Sequence, residues 1–407
     1  MKKPRSITSW IVFIPTVIIV LLSLSSVVFP ALLIRSTSPF QGVVATPEFV
    51  DPFQTGVLAI PLVIINVILL GIGIVYRKKK ECKYRPMIAK LANFEVTKKQ
   101  ALIGVIILVA IFISLTAGTL SKEETWVDYQ GVKDRVQTWT ISDFTHSFEP
   151  HVRYLLLSAS LHIFGNIRVI PFVTSIALLV LTYFFTKDIT QKRFAGLVST
   201  AVLLQSQIFV GYSTSASYDN SWILLYLFGL YLLQKFWPPS PVSFIASIFS
   251  KALTVAFLPM TFYFIARSTL SRKSKIISLA SYGVVMVSMI AGVSSLKSTI
   301  SPTSFDFSQF WQGFASMAMQ MRFDYIIILF LLPLTVMLFF ASRKGILYAD
   351  SILIFILSIL LISPLLPAFT DQTNQPYRFV SLVVFFAIGV GILLSKRTNA
   401  KPTLVQE

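Results

Sequence analysis

The sequence is poor in the residues that build disulfides and metal centres. It has one cysteine, Cys82, and three histidines among its 407 residues. A single thiol excludes an intramolecular disulfide, a redox-active thiol pair and a cysteine-rich zinc site within this chain. The Gly-rich phosphate loops, the HExxH pattern and the GxSxG pattern are also absent, which excludes the common motif-based nucleotide, metalloprotease and serine-hydrolase chemistries.

Charge is scarce as well. Charged residues make up 13% of the chain and hydrophobic residues 55%, and the mean hydropathy is +0.76. Apolar runs such as 10–33, 56–76 and 100–120 can each cross roughly 30 Å of hydrocarbon at about 1.5 Å per helical residue. The alternating ten-residue segments of a membrane β-barrel are missing. We therefore predict an all-α fold, a polytopic transmembrane helical bundle without a soluble domain.

Acidic residues are rarer than basic ones, at 17 against 35, and the formal net charge is +18. The basic residues cluster between apolar runs, as they do in the cytoplasmic loops of membrane proteins. We therefore expect the chain to contact the lipid bilayer, and we expect no nucleic-acid partner. With these clusters on one side, both termini are cytoplasmic and the chain needs about 12 spans, some of them short or broken. The predicted spans are 10–33, 56–76, 100–120, 167–185, 194–210, 221–236, 240–251, 252–266, 276–294, 325–342, 346–366 and 379–395.

One segment decides between two membrane paths. Residues 152–165 would extend about 21 Å as a helix, which is too short for a bilayer. Since His151, Ser158 and His162 share one helical stripe, we favour an interfacial helix on the outer face. If the segment crossed instead, 241–266 would have to be one long span that buries Lys251.

The favoured path divides the chain into three parts. Residues 1–98 form two N-terminal transmembrane helices and a basic cytoplasmic loop. Residues 99–395 form the main transmembrane bundle, in which 121–166 is a large outer loop with interfacial helices. Residues 396–407 form a cytoplasmic tail.

The acids concentrate in 121–150, which holds six of the 17. Asp128 and Asp134 follow the third predicted span and are flanked by Trp126, Tyr129 and Trp139. A carboxylate just outside a membrane can accept a proton from a hydroxyl group, while aromatic faces stack on a sugar. The alternative is a solvated loop with ordinary surface acids.

A second polar segment, GYSTSASYDN, lies between the fifth and sixth predicted spans. Asp219 and the hydroxyl-rich run with Tyr212 and Tyr218 could line a polar pocket that faces the first loop. Alternatively, Asp219 or Asn220 could cap the following helix. Two isolated cations, Lys251 and Arg378, stand at predicted outer ends of apolar segments, and Arg153 and Arg168 flank the predicted interfacial helix. Each of them either snorkels to the interface or binds an anion such as a lipid phosphate.

A metal site is a weaker hypothesis. His146, Glu149 and His151 offer competent ligands for a divalent metal. Pro150 and the lack of an i, i+4 pairing argue against it, so we expect no cofactor.

The order of these motifs resembles the GT-C class of integral-membrane glycosyltransferases, in the branch of protein O-mannosyltransferases and lipid A aminoarabinose transferases. The resemblance is best over 100–270. The matching segments are an acid that opens the first outer loop, here Asp128; FEPHVRYLLLSASLHIFGNIRVIPF; TKDITQKR; GYSTSASYDNSW; SIFSKALTVAFLP with Lys251; and QPYRFV with Arg378. The family's acidic pair is reduced here to Asp128, with Asp134 displaced, and its Lys-Pro reads Glu149-Pro150-His151, so that Arg153 would replace the lysine.

The resemblance implies a cell-envelope enzyme that transfers a sugar from a polyprenyl-phosphate donor to a glycan, lipid or protein acceptor on the extracytoplasmic side. No nucleotide is needed, because the lipid phosphate is the leaving group. The implied site has catalytic acids Asp128, Asp134 and Asp219, lipid-phosphate cations Lys251, Arg378 and Arg153, and substrate-pocket residues Tyr129, Trp139, Glu149, His151 and Tyr218.

Two other classes compete with this interpretation. One is a lipid or glycan transporter or flippase, which usually has ionisable groups near the midplane, often in repeated halves. The other is a non-catalytic glycolipid-binding membrane protein. The sugar-transfer hypothesis requires Asp128, Asp219, Lys251 and Arg378 to converge on one cavity.

Overall fold

The computed structural model describes residues 6–30, 51, 53–78, 90, 93–145, 150–295 and 303–395. Over these ranges the chain is all-helical and has no β-strand; its 16 α-helices are joined by loops and short 3-10 turns. The helices are α1 (Ser6–Val28), α2 (Ala59–Lys78), α3 (Lys98–Thr116), α4 (Tyr129–Thr138), α5 (His151–Phe164), α6 (Val169–Thr190), α7 (Arg193–Leu204), α8 (Gln207–Gly211), α9 (Ser221–Lys235), α10 (Ser240–Ser250), α11 (Leu258–Arg267), α12 (Arg272–Ser295), α13 (Phe307–Gln320), α14 (Tyr325–Arg343), α15 (Ala349–Phe369) and α16 (Val380–Leu393).

Within the described ranges, six helices are long and apolar enough to cross a membrane, which indicates a multi-pass membrane protein. They are Ile7–Val28, Lys98–Thr119, Val169–Thr190, Tyr325–Arg343, Ala349–Phe369 and Pro376–Leu393. Shorter apolar helices, α2, α7, α9, α10 and the segment Ala252–Arg267, pack with them. The predicted all-α class is therefore confirmed, whereas the count of about 12 spans stays a prediction.

A ladder of serines joins α9 and α10 into a tight antiparallel pair. Ser240 Oγ donates to the Gly229 carbonyl at 2.7 Å, and Ser247 Oγ donates to the Trp222 carbonyl at 2.6 Å. At the end of the ladder, the hydroxyl groups of Ser221 and Ser250 are 2.7 Å apart. Small hydroxyl side chains let the two backbones approach closely and satisfy helix carbonyls in an apolar setting.

Ion pairs tie helix ends together at one end of the bundle, called here the Asp350 end. Asp350 is 1% exposed and pairs with Arg267 at 2.7 Å. Asp188, at the end of α6, pairs with Lys235, at the end of α9, at 3.1 Å. Glu95 accepts hydrogen bonds from the first backbone N–H groups of α7. The starts of α3, α7 and α15 and the ends of α6, α9 and α11 thus carry polar anchors.

The N-terminal helices pack onto the rest of the bundle. Helix α1 lies against α13, α14 and α15. The hydroxyl groups of Ser9 and Ser342 are 2.9 Å apart, and Ser26 Oγ donates to the Phe314 carbonyl at 3.1 Å. Asn66 on α2 donates to the Leu329 carbonyl at 3.2 Å. The proposed boundary at residue 98 stays a prediction, and much of the basic loop before it lies outside the described residues.

Two short helices, α4 and α5, lie at the opposite end of the bundle, called here the Glu124 end. Helix α5 has 14 residues and ends at Gly165, whose φ of 67° stops the helix in the left-handed conformation. It packs against α4, α6 and α10. A small core fixes the two helices: Val132, Val136, Leu157, Ile167 and Ala216, with Tyr129 packed against it. The helix predicted over 152–165 thus forms; its place at a membrane interface stays a prediction.

A break between α7 and α8 starts the second polar loop. Asp324 is 3% exposed and comes from the start of α14. Its carboxylate accepts the Gln207 N–H at 2.7 Å, the Ile208 N–H at 3.3 Å and the Ser206 hydroxyl at 3.1 Å. A carboxylate at the first N–H groups of a helix satisfies donors that have no partner within the helix. This contact fixes the direction in which the chain enters loop 212–220.

Candidate functional site

Glu124 and Arg168 form the foundation of the candidate site. The Glu124 side chain is 2% exposed and lies 3.4 Å from Arg168 Nε. It accepts hydrogen bonds from the Ser217 hydroxyl at 2.8 Å, the Ser215 hydroxyl at 3.2 Å and the Ala216 N–H. Arg168 also donates to the carbonyls of Thr119, Lys122 and Thr214. The pair therefore joins the end of α3 to loop 212–220.

Arg153 and Asp219 form a second buried pair above the first. Arg153 Nε lies 3.1 Å from Asp219 Oδ2, and the Asp219 side chain is 6% exposed. Arg153 donates to the carbonyls of Ala216 and Ser217. Asp219 accepts from the N–H and the hydroxyl of Ser221 at the start of α9. Both side chains thus have protein partners: Asp219 contacts α5 through Arg153 and also holds the start of α9, whereas its place in a pocket stays a prediction.

Asp128 occupies an exposed position immediately before α4. Its carboxylate accepts a hydrogen bond of 2.6 Å from the Tyr218 hydroxyl. Burial and the hydrogen bond to the Asp128 carboxylate raise the pKa of Tyr218 above its usual value of 10. Tyr218 therefore stays a neutral donor, and the remaining lone pairs of Asp128 face the surroundings.

Four aromatic rings, Trp126, Tyr212, Tyr218 and Tyr377, form what we call the aromatic cluster. Tyr218 and Tyr377 stack with ring centroids 4.2 Å apart and an interplanar angle of 10°. Trp126 stacks on Tyr212 at 5.1 Å and meets the edge of Tyr218 at 5.7 Å. Burial raises the pKa of Tyr212 to about 12, so this phenol is also neutral near pH 7. The cluster joins loop 212–220 to the start of α16.

Lys251 lies on the far side of Tyr377. The serine ladder places it directly after α10, and its Nζ is 3.8 Å from the Tyr377 ring centroid and 5.0 Å from that of Trp222. Within the described part of the chain, this ammonium makes no hydrogen bond or ion pair. It is nevertheless within electrostatic reach of Arg378, Arg153 and Asp219. A half-buried cation held by aromatic faces keeps all its N–H donors for a ligand.

Arg378 is the second cation beside the aromatic cluster. Its Nη2 donates to Gln372 Oε1 at 2.9 Å, and its guanidinium carbon lies 5.7 Å from the Tyr377 ring centroid. The same side chain lines a small hollow with Leu253, Ile362 and Asn374, among others. Its Nη1 makes no hydrogen bond to another described residue, so the N–H donors on Nη1 remain for an anion.

The structure brings most, though not all, of the predicted site residues together. Asp128, Tyr218, Lys251 and Arg378 are connected through Tyr377, and Arg153 and Asp219 lie close behind them. The others lie elsewhere: Asp134 is exposed on α4 and bonded to Gln130, Tyr129 packs in the small core, and Trp139 donates to the fully buried His151 at 3.3 Å.

The described residues offer little support for the metal hypothesis. His146 and Glu149 lie outside the described residues. The remaining candidate, His151, lies between the rings of Trp139 and Phe249. No group of three His, Cys, Asp or Glu side chains that could hold a metal occurs among the residues that the structure describes.

Sequence reasoning missed two central residues. Glu124 carries no pattern that separates it from its neighbour Glu123, and its role depends on a loop more than 90 positions away. Tyr377 stands next to Arg378 in QPYRFV, and this adjacency was a usable signal. Its stacking partner Tyr218 and its cation Lys251 come from other parts of the chain and are apparent only in three dimensions.

Comparison with family models, with curated proteins and with solved structures finds no match to this chain. The arrangement must therefore be interpreted from its own chemistry. It combines one exposed carboxylate, two cations with free donors and a wall of aromatic rings. Such a set can accept a proton, neutralise an anionic group and stack on a sugar or another flat apolar face.

Proposed function

We propose that this protein is a membrane glycosyltransferase that moves a sugar from a polyprenyl-phosphate donor to an acceptor hydroxyl. The observation that carries the proposal is the continuous contact from Asp128 through Tyr218 and Tyr377 to Lys251, with Arg378 beside it. A proton acceptor and two anion-binding cations thus flank one aromatic wall. The resemblance of the sequence to the GT-C class points in the same direction.

The proposed reaction is a direct displacement at the anomeric carbon. The acceptor oxygen forms a bond to this carbon while the bond from the carbon to the phosphate oxygen breaks, which inverts the configuration. Asp128 takes the proton of the acceptor hydroxyl. Lys251 and Arg378 stabilise the charge that develops on the departing lipid phosphate, an effect that usually contributes the larger part of catalysis.

The aromatic cluster and the two buried pairs support this reaction without taking part in it. The exposed indole of Trp126 offers a face for a sugar ring next to Asp128. Arg153 and Asp219 already bind each other and the loop backbone, so we assign them to holding loop 212–220 in place. Asp134 has no contact with the cluster and receives no role.

Basic residues are the basis on which we assign the two ends of the bundle to the two sides of the membrane. Lys187, Lys235, Arg267 and Arg343 all lie near the Asp350 end, and cytoplasmic ends are rich in such residues. We therefore assign the Asp350 end to the cytoplasm and the Glu124 end, with the site, to the extracytoplasmic side. Twelve crossings, with α4 and α5 at the outer interface, fit this assignment.

The test compares two aspartates in one loop, Asp128→Asn and Asp134→Asn. Each variant is reconstituted in vesicles that contain a lipid extract with polyprenyl-phosphate sugars, and release of polyprenyl phosphate is measured by mass spectrometry. Loss of the general base typically lowers the rate about 100-fold or more, so Asp128→Asn should be nearly inactive while Asp134→Asn keeps its activity. Equal activity of the two variants would refute the assignment of Asp128.

The same vesicles separate the rival classes. A lipid transporter would move labelled lipid between leaflets without releasing polyprenyl phosphate. A non-catalytic glycolipid-binding protein would do neither and would bind the lipid-linked sugar unchanged. Release that depends on Asp128 is expected from the glycosyltransferase alone.

A further inference from the structure

Tyr377 lies beside Lys251, Arg378 and Tyr218 in the site. Its ring contacts three residues already discussed: Tyr218 by stacking at 4.2 Å, Tyr212 by its edge at 6.0 Å and the Lys251 ammonium at 3.8 Å. Its hydroxyl receives a long hydrogen bond of 3.5 Å from Arg378 Nε. One ring thus borders both candidate phosphate-binding cations and the tyrosine that binds Asp128.

We infer that Tyr377 is a positioning residue that fixes Lys251 and keeps it apart from Asp128. This inference rests on the proposed function for its purpose and on the contacts alone for its geometry. The ring covers one side of the ammonium, and the Trp222 ring lies near it at 5.0 Å. Attraction between the cation and the ring faces holds Lys251 in place without using its N–H donors.

Separation matters because a protonated Lys251 and the Asp128 carboxylate would attract each other. A direct ion pair between them would neutralise both groups, and a half-buried pair of this kind is hard to break once formed. The acid would then be a poorer proton acceptor and the cation a poorer phosphate ligand. The stacked rings of Tyr218 and Tyr377 occupy the space between the two charges.

The hydroxyl of Tyr377 has a smaller part than its ring. The hydrogen bond from Arg378 is long, and Arg378 has a shorter bond of 2.9 Å to Gln372. The ring, in contrast, makes each of the close contacts. Phenylalanine at position 377 should therefore preserve the role of Tyr377, whereas leucine should not.

The test measures the reactivity of the Lys251 amine with an acylating reagent, by mass spectrometry of the purified full-length protein. Lys133, which is 40% exposed on α4, serves as an internal reference in every sample. We expect Tyr377→Leu to raise the relative labelling rate of Lys251 about five-fold or more, the factor that corresponds to a partly buried cation–ring contact. Tyr377→Phe should label like the wild type.

Two controls keep the result interpretable. Tyr325→Leu removes an exposed tyrosine at the start of α14 and should leave Lys251 labelling unchanged. Asp128→Asn should also leave it unchanged, because the rings separate the two groups; this control decides the question even if the leucine variant does not fold. A change with Asp128→Asn would mean direct contact and would overturn the inference.

Equal labelling in the wild type, Tyr377→Phe and Tyr377→Leu would overturn it too, as would a Phe variant that labels like the Leu variant. None of these readings requires a donor sugar or turnover. Labelling therefore decides the role of Tyr377, whereas release of polyprenyl phosphate decides the proposed function, and either can fail alone.

Discussion

Removal of the Glu124 carboxylate is the sharpest test of how the site is built. In Glu124→Ala, Arg168 keeps its carbonyl partners but loses its counter-charge, and loop 212–220 loses four hydrogen bonds from Ser215, Ala216 and Ser217. The lost contacts are buried, since the side-chain exposures of Glu124 and Arg168 are 2% and 8%. Breaking a buried pair in this way costs about 3–5 kcal/mol.

Glu123 provides a matched control one residue away. Its side chain is 69% exposed and pairs with Lys133 at 3.4 Å. An exposed pair of this kind contributes between about 0 and 1 kcal/mol. Glu123→Ala should therefore unfold at nearly the wild-type denaturant concentration, although it removes the same number of atoms and the same charge.

The assay is equilibrium unfolding of each purified variant in detergent, with the free energy of unfolding obtained by extrapolation to zero denaturant. A double variant with Arg168→Met completes a double-mutant cycle, and we expect a coupling of about 1–3 kcal/mol between Glu124 and Arg168. If Glu124→Ala and Glu123→Ala unfold alike, Glu124 is not the anchor of loop 212–220 and the derivation of the site from it is wrong.

Two further predictions concern Tyr218 and Gly313. The neutral Tyr218 phenol stabilises the fold below about pH 10, its unfolded pKa, and this contribution is lost as the pH rises through its raised folded pKa. Asp128→Asn should lower that folded pKa, which ultraviolet difference titration against Tyr218→Phe would detect; an unchanged titration would contradict the hydrogen bond. In Gly313→Ala, the new Cβ would lie 2.3 Å from Pro364 Cα, so the variant should lose about 1–3 kcal/mol in the same unfolding assay. Gly283→Ala meets nothing within 4 Å and should be neutral or gain about 0.5–1 kcal/mol; similar losses for both would refute the close packing of α13 on α15.

The helical bundle could be predicted from the sequence because apolar length is a local property. The apolar runs 100–120, 325–342 and 346–366 were predicted to be spans. They coincide with the helices α3, α14 and α15, apart from shifts of a few residues at the ends. The break near Lys251 was also predictable, since two short apolar segments meet there. The packing of α1 on α13, α14 and α15 was not, because uniformly apolar helices carry no mark of their neighbours.

The candidate site could be predicted in part. The sequence offers both Asp128 and Asp134 as candidate acids. In the structure, Asp128 precedes α4 and accepts a hydrogen bond from Tyr218, whereas Asp134 lies on the exposed side of α4 and bonds to Gln130. Lys251 and Arg378 are isolated cations near apolar ends in the sequence, and both lie beside the Tyr377 ring in the structure; their anion-binding role stays a prediction. The spacing of serines in α10 was visible too, although the backbone carbonyls that they bind on α9 were not.

The positions of the ion pairs and of the free cations also bear on the choice between sugar transfer and transport. Among the described residues, the ion pairs Arg267–Asp350 and Lys235–Asp188 lie near one end of the bundle, and Glu124–Arg168 and Arg153–Asp219 lie near the other. A carrier needs polar partners along the path of its cargo, because an unpaired charge in hydrocarbon is expensive. The free donors of Lys251 and Arg378 lie together at the Glu124 end, beside the aromatic cluster and the Asp128 carboxylate. This arrangement suits a headgroup that is bound and processed at one membrane surface better than one that is moved across.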